Sequence, residues 1–323
     1  MFNQRLADTA GLGNMNEHNS LNEFFKGKEP PGSLSESLLS ITQVCDTADG
    51  ATLNIYPEFL EAATQAALSF AESVIINADR NNMSAEVRNS VNSLTVNEAA
   101  AVCLYTMEFG PYIGLNKILR VENRQRLPAF VDYLLLLMHG LSKCPKPTSA
   151  IVYRRGPSDV ISRYIVGSVI TWTIFSSCAT NLAVLENAIV LEADSVRTYF
   201  QITLTTSRAR NIRHLNVTPG EDEILLPPNT RLRVMDKTDQ GGGVWVVQLL
   251  ELPCLDPILV FPDQSGRLLY RGGRHNYFYP NPRYGLDVLY LFIVYYFPPL
   301  LSPQLKRVGS SFAAFIAVKA FLL

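Results

Sequence analysis

The chain is short of the residues that usually hold metals and nucleic acids. Only four histidines occur among its 323 residues. None of the five cysteines, Cys45, Cys103, Cys144, Cys178 and Cys254, forms a C-x-x-C pair, so no zinc pattern is present. An odd cysteine count leaves both disulfide state and redox compartment open. Lysine and arginine number 28 against 29 acidic residues, a formal net charge of −1. That balance provides no global field for nucleic acid or an acidic membrane surface, so no nucleic-acid partner is expected and any charged ligand must be held locally. No Gly-x-Gly-x-x-Gly follows a strand-like run, which excludes the common dinucleotide fold, and no internal repeat is evident. The polar start, Met1-Phe2-Asn3-Gln4-Arg5, shows no secretory signal. Two late runs, 286–301 and 312–323, are strongly apolar. The first is broken by Pro298-Pro299 and the second is short; neither reaches the roughly 20 apolar residues of a spanning helix.

What is present suffices for a sizeable core: 47% of residues are hydrophobic and 18% charged. Residues 1–56 are rich in Asn, Ser, Gly and Glu around Pro30-Pro31-Gly32, and read as a low-order leader with a short helix. From Pro57, the residues Phe59, Leu60, Ala63, Ala67, Phe70, Val74 and Ile75 recur at helical spacing. A second helix is predicted after a cap at Thr95 or Asn97, with Glu98 in its first turn and a break at Gly110-Pro111. Helical spacing resumes over 112–119, and a third apolar helix is predicted over about 128–141. After Pro147 the pattern turns to strands: 150–153, 169–175, 197–205, 223–226, 230–235 and 244–249, with a turn-rich loop over 236–243. Helices first and strands later argue for α+β.

Three patches within the strand half stand out in fixed order. Tyr153-Arg154 closes one strand-like run, Phe175-Ser176-Ser177-Cys178 closes another, and Glu221-Asp222-Glu223 opens a third that continues Ile224-Leu225-Leu226-Pro227-Pro228. Alone, each is commonplace: a strand-end arginine is usually solvated or salt-bridged, and an acidic triplet after Pro219-Gly220 is usually a turn. Alternation along an extended segment puts Glu221 and Glu223 on one side with Asp222 turned away, so two acids can share a site. The triplets Asn82-Met83-Ser84 and Asn216-Val217-Thr218 also fit the glycosylation sequon, which a chain of this length carries about once or twice by chance.

An arginine, a serine and a Glu-x-Glu pair on consecutive β-segments resemble the R-S-E signature of the arginine-specific mono-ADP-ribosyltransferases. The residues 172–180 and 182–185 are similar to the family's serine motif, and 221–228 followed by Arg231-Leu232-Arg233-Val234 to its Glu-x-Glu loop and next strand. The segment Leu104-Tyr105-Thr106 with Tyr112, Leu115-Asn116 and Leu119-Arg120 is similar to the helical stretch before the arginine strand. The resemblance covers about 57–255. It implies an α+β domain whose helical N-terminal half packs on two roughly perpendicular sheets around an NAD cleft, flanked by the leader and an apolar tail, 256–323.

The resemblance implies that NAD is the substrate, that no metal is needed, and that ADP-ribose passes to a protein arginine. Cleaving the nicotinamide–ribose bond builds positive charge at the anomeric carbon, which a carboxylate stabilises. The pyrophosphate suits a guanidinium, and an arginine acceptor needs a second carboxylate to hold it and take its proton. Arg154 is thereby implied as the contact to NAD phosphate and ribose, with Arg155 beside it as the competing ligand. Ser177 is implied to hold the catalytic glutamate and shape the nicotinamide pocket, with Ser176 as the other assignment. Glu223 is the implied catalytic glutamate and Glu221 the residue conferring arginine acceptance. Ala179 departs from the pattern, since the family usually carries Ser or Thr there, and weakened activity is expected; Thr180 is the candidate substitute. Two alternatives stand beside transfer: an NAD glycohydrolase, against which Glu221 counts, and an inactive binding module of the same fold. The tail, with Gly309-Ser310-Ser311 before Phe312, leaves membrane association open, and location is open between secreted and membrane-associated.

Overall fold

The computed structural model describes residues 21–254, apart from 26, 46–52, 54, 81–82, 121–124, 157, 183–196, 207 and 219–222. The tail assigned to 256–323 therefore lies outside the described residues, as do Asn82, Glu221 and most of the segment after the serine motif. Helices precede strands, as the α+β reading requires. They are α1 (Leu34–Cys45), α2 (Pro57–Ile76), α3 (Ala85–Ser93), α4 (Val96–Thr106), α5 (Tyr112–Arg120) and α6 (Val131–Lys143).

Helix α4 begins where its sequence says it should. Thr95 is the cap: its hydroxyl accepts from Glu98 N at 3.2 Å while the Glu98 carboxylate accepts from Thr95 N at 2.9 Å, a reciprocal capping box. The same carboxylate receives Lys143 Nζ at 2.6 Å, tying the start of α4 to the end of α6. The two helices run close: a Cβ on Gly140 would sit 2.7 Å from the Glu98 carbonyl oxygen. Substituting Gly140 must push the pair apart. Helix α2 starts at Pro57, whose missing N–H costs nothing in the first turn. Its buried stripe is Leu60, Thr64, Ala67, Ala71 and Val74, while Phe59 faces solvent, so small residues rather than aromatics make the contact with α4. By length and composition α2 alone among the described residues could cross a membrane, yet it contributes this stripe to the core.

The leader is only partly as expected. A helical turn at Asn22–Phe25 and helix α1 lie within it, and Leu21, Phe25, Leu34, Leu38 and Ile41 are buried in the main core. Leu34 N donates to Asn97 Oδ1 at 3.0 Å across the boundary. Residues 21–45 are thus ordered and packed, because α1 has its own apolar stripe that the polar composition around it conceals. Helix α3 also escaped sequence reading, having only Val87 and Val91 as large apolar residues; its cap is Ser84, which accepts from Val87 N at 3.3 Å.

The strands are β1 (Ile151–Gly156), β2 (Val169–Trp172), β3 (Ser176–Ala179), β4 (Arg197–Thr203), β5 (Arg210–Asn211), β6 (Glu223–Leu226), β7 (Thr230–Asp239) and β8 (Val244–Leu252). They hydrogen-bond in one order, β2-β7-β8-β4-β1-β3-β6-β5. Two sheets were expected; the ladder is continuous but narrows between β1 and β3 to the register pair Tyr153↔Ala179. A five-strand part and a three-strand part meet at that junction. The run 169–175 is shorter than expected: β2 ends at Trp172, and β3 begins only at Ser176. Ile174 and Phe175 turn into the helical core, and Phe175 N donates to Asn116 Oδ1 of α5 at 3.2 Å, which separates β2 from β3. Strand β7 extends to Asp239, past the loop expected at 236, and the turn to β8 is made by Gly241, Gly242 and Gly243, all at positive φ.

Two cores result. The larger joins the helices to Ile174, Phe175, Ile212, Leu215 and Leu225 of the strand half. The second lies on the other side of the strands, around Tyr164, Trp172, Phe200 and Ile224.

Candidate active site

Strand register decides which motif residues share a face. Directly paired residues of a ladder project to the same side, and neighbours along a strand alternate. The pairs Ala179↔Glu223 and Ser177↔Leu225 join β3 to β6, and Tyr153↔Ala179 joins β1 to β3. One face therefore carries Tyr153 and Arg155, Ser177 and Ala179, and Glu223 and Leu225. The opposite face carries Arg154, Ser176, Cys178 and Ile224.

On the first face Glu223 is almost wholly buried and its carboxylate is gripped from both sides. Ser177 Oγ donates to Oε1 at 2.5 Å, and Asn216 Nδ2 donates to Oε2 at 2.7 Å. The amide of Asn216 is itself oriented: Thr218 N donates to its Oδ1 at 2.9 Å. The loop bearing Asn216 is anchored below by Leu215 in the helical core and by Val217 N donating to Thr106 Oγ1 of α4 at 3.4 Å. Helices thus set the height of the loop, and the loop sets the carboxylate.

On the other face Arg154 is fully buried. One guanidinium nitrogen donates to the Ser177 carbonyl at 2.7 Å, and the guanidinium carbon lies 5.9 Å from the centroid of Trp172. Trp172 Nε1 donates to the Tyr164 hydroxyl at 3.1 Å, and Phe200 packs on both rings. Arg154 holds the main chain of the serine that holds Glu223. Its planar fork and aromatic contact suit that bracing position. The structure does not bring Arg154 onto the face of Glu223; it brings Arg155, which is half-buried.

Of the two serines, Ser177 bonds Glu223, whereas the Ser176 hydroxyl is buried on the opposite face without a hydrogen bond among the described residues. Burial pushes the Cys178 thiol up to about 12, with Arg154 drawing it down and Glu223 pushing it up again. Cys178 is a small buried hydrophobe there and not a thiolate nucleophile. His214, in the turn before Asn216, is lowered to about 4 by burial, and is neutral near pH 7. Ala179 lies directly across from Glu223, so a hydroxyl at that position would have faced the carboxylate. Glu221, the partner acid, lies outside the described residues. No group of three or more His, Cys, Asp or Glu able to hold a metal ion occurs among the described residues.

Sequence reasoning missed Asn216, noticed only as part of a glycosylation sequon. The side chain is buried and committed to Glu223 and Thr218, which removes it as a glycan site in the folded chain. Its signal was an amide shortly upstream of a Glu-x-Glu pair, legible only once that loop is seen to fold back on β6. Asn116 was quoted without a role; it bridges α5 to the entry of β3 and donates to the Tyr105 hydroxyl at 3.4 Å.

The family model for NAD:arginine ADP-ribosyltransferase matches residues 56–252. A Mycobacterium avium (strain 104) protein named "Putative NAD(+)--arginine ADP-ribosyltransferase Mav" is 32% identical over 171 residues. The match covers 50% of this chain but 18% of that relative, so the chain spans a small part of its length. Among solved structures, Vis of Vibrio splendidus is 20% identical with a TM-score of 0.42, over 60% of this chain and 86% of that one. HopU1 of Pseudomonas syringae pv. Tomato DC3000 is 19% identical with a TM-score of 0.42, over 50% and 79%. With the family model matching well over half of its length, the chain belongs to the NAD:arginine ADP-ribosyltransferase family.

Proposed function

We propose that the protein transfers ADP-ribose from NAD to the guanidinium of a protein arginine, with Glu223 as the catalytic carboxylate. The observation that carries this reading is the Ser177–Glu223–Asn216 arrangement: a buried carboxylate fixed by donors on both oxygens, on one face with a half-buried arginine. Buried acids are rare unless paired or put to use.

In the proposed reaction NAD is substrate. The C–N bond between nicotinamide and ribose breaks, and neutral nicotinamide leaves with the electron pair. The cationic ribosyl carbon that remains is stabilised by Glu223, whose fixed position avoids reorganisation at the moment of reaction. A guanidinium nitrogen of the acceptor attacks that carbon, and Glu221 holds the guanidinium and takes the proton it loses. NAD and arginine thereby become ADP-ribosyl-arginine, nicotinamide and a proton. In this reading Arg155, which shares the face of Glu223 by register, meets the pyrophosphate in place of Arg154, and Arg154 fixes Ser177 from behind. The acceptor is an arginine-bearing protein.

The test is product identity from the full chain incubated with NAD and agmatine, a small guanidine. ADP-ribosyl-agmatine with stoichiometric nicotinamide is expected. Free ADP-ribose alone would assign a glycohydrolase, and no consumption of NAD by folded protein would overturn the reading.

A further inference from the structure

We infer that Asn216 is a positioning residue for the reaction: it donates to the second oxygen of Glu223 and holds that carboxylate charged and aimed, an inference that rests on the transfer reading above. The orientation of the amide is fixed by its neighbours. Thr218 N can only donate, and it meets Oδ1 at 2.9 Å, so the Oδ1 end of Asn216 is the acceptor and the Nδ2 end, 2.7 Å from Glu223 Oε2, is the donor. An N–H₂ group offers no acceptor. A protonated carboxyl could not place its hydrogen toward Asn216, so the contact discriminates for the carboxylate. Ser177 supplies the donor on Oε1, and Arg154 fixes Ser177 through its carbonyl. The glutamate is thus set from two directions, one built on the strands and one on the helices through Leu215 and Thr106.

Several ionisable groups belong to the elements that carry this carboxylate. Cys178 of β3 interacts electrostatically with both Arg154 and Glu223. Tyr153 and Arg155 come from β1 on the same face. Tyr105 of α4 bonds Asn116 behind the site, His214 precedes Asn216, and Glu221 and Asp222 precede Glu223 in the chain.

The isosteric change Asn216→Asp separates this role from a merely structural one. It preserves shape and the bond from Thr218 N, but replaces the donor by a second carboxylate. A residue that only holds its turn would tolerate Asp and suffer from Ala. A positioning donor predicts the reverse: Asp should be worse than Ala. With folding checked by melting, Asn216→Ala should lower kcat about tenfold with KM for NAD changed less than about twofold. Its acid limb should move up by about one to two pH units, the worth of one hydrogen bond to a charged group. Asn216→Asp should lower kcat further and move the limb higher. A wild-type-like Asp variant, or an unmoved acid limb in both, would overturn the inference. Titration of the Glu223 carboxyl carbon by NMR, assigned through Glu223→Gln, reads the same shift without activity. If it moves while wild-type protein consumes no NAD, the Asn216 contact stands and the transfer reading fails.

Discussion

The two faces of the strands around β1 and β3 treat a buried charge in opposite ways. Behind them, Arg154 is enclosed by Trp172, Tyr164 and Phe200 and spends a donor on a main-chain carbonyl. In front, Glu223 receives hydrogen bonds on its two carboxylate oxygens from Ser177 and Asn216. Both are almost wholly buried, and one residue of alternation separates their outlooks. Burial alone therefore does not mark a functional charge. A charge walled by rings and bonded to backbone suits a bracing role, whereas under the proposed function one fixed by oriented dipoles suits chemistry.

Breaking the rear contact should cost stability. Arg154→Ala leaves a cavity among aromatics and the Ser177 carbonyl without that donor, and should destabilise by about 4 kcal/mol, read by denaturant unfolding. If instead Arg154→Ala melts normally and only loses NAD affinity, the two faces have been assigned the wrong way round. Glu221→Gln should lower ADP-ribosyl-agmatine formation by about 100-fold while sparing NAD hydrolysis; equal loss of both would show that the two acids do not divide the work.

His214 gives a pH handle on the front loop. Its folded pKa is about 4 against 6.5 for an unperturbed histidine, because burial disfavours the charged ring. Between those values the unfolded chain binds the proton and the folded chain does not, so stability is whole above pH 6.5 and falls as pH drops toward 4. The fall should be about 2 kcal/mol after allowance for solvent near a partly buried ring, and His214→Gln should flatten it in melts at pH 7 and pH 5. The smallest effect belongs to Ser176→Ala. Removing a buried hydroxyl without a hydrogen bond among the described residues should change stability by less than about 0.5 kcal/mol and leave kcat alone. Ser177→Ala should lower kcat about tenfold.

Most of the element order was legible because α2, α4 and α6 have strong apolar periods and Thr95 with Glu98 spells out a capping box. The α+β class and the family followed from residues that sit on successive strands. What could not be read was contact across the chain. Helix α1 hides in a polar leader, and its burial depends on α6 and on Asn97 of α4. The end of β2 before 175 depends on Asn116 capturing Phe175 N, a bond spanning 59 residues. The β3–β6 register puts Ser176 and Ser177 on opposite faces, and the β1–β3 pair does the same for Arg154 and Arg155, which no local pattern fixes. The buried leader also means that a catalytic fragment begun at 57 would lose core residues Leu34, Leu38 and Ile41.

The central claim is that the carboxylate held by Ser177 and Asn216 performs the cleavage of NAD. The most direct test is the rate of nicotinamide release by full-length Glu223→Gln, whose amide keeps the shape but not the charge, beside its melting temperature. The account predicts a loss of about 100- to 1,000-fold with the fold retained. Turnover within a few-fold of wild type in folded protein would contradict it.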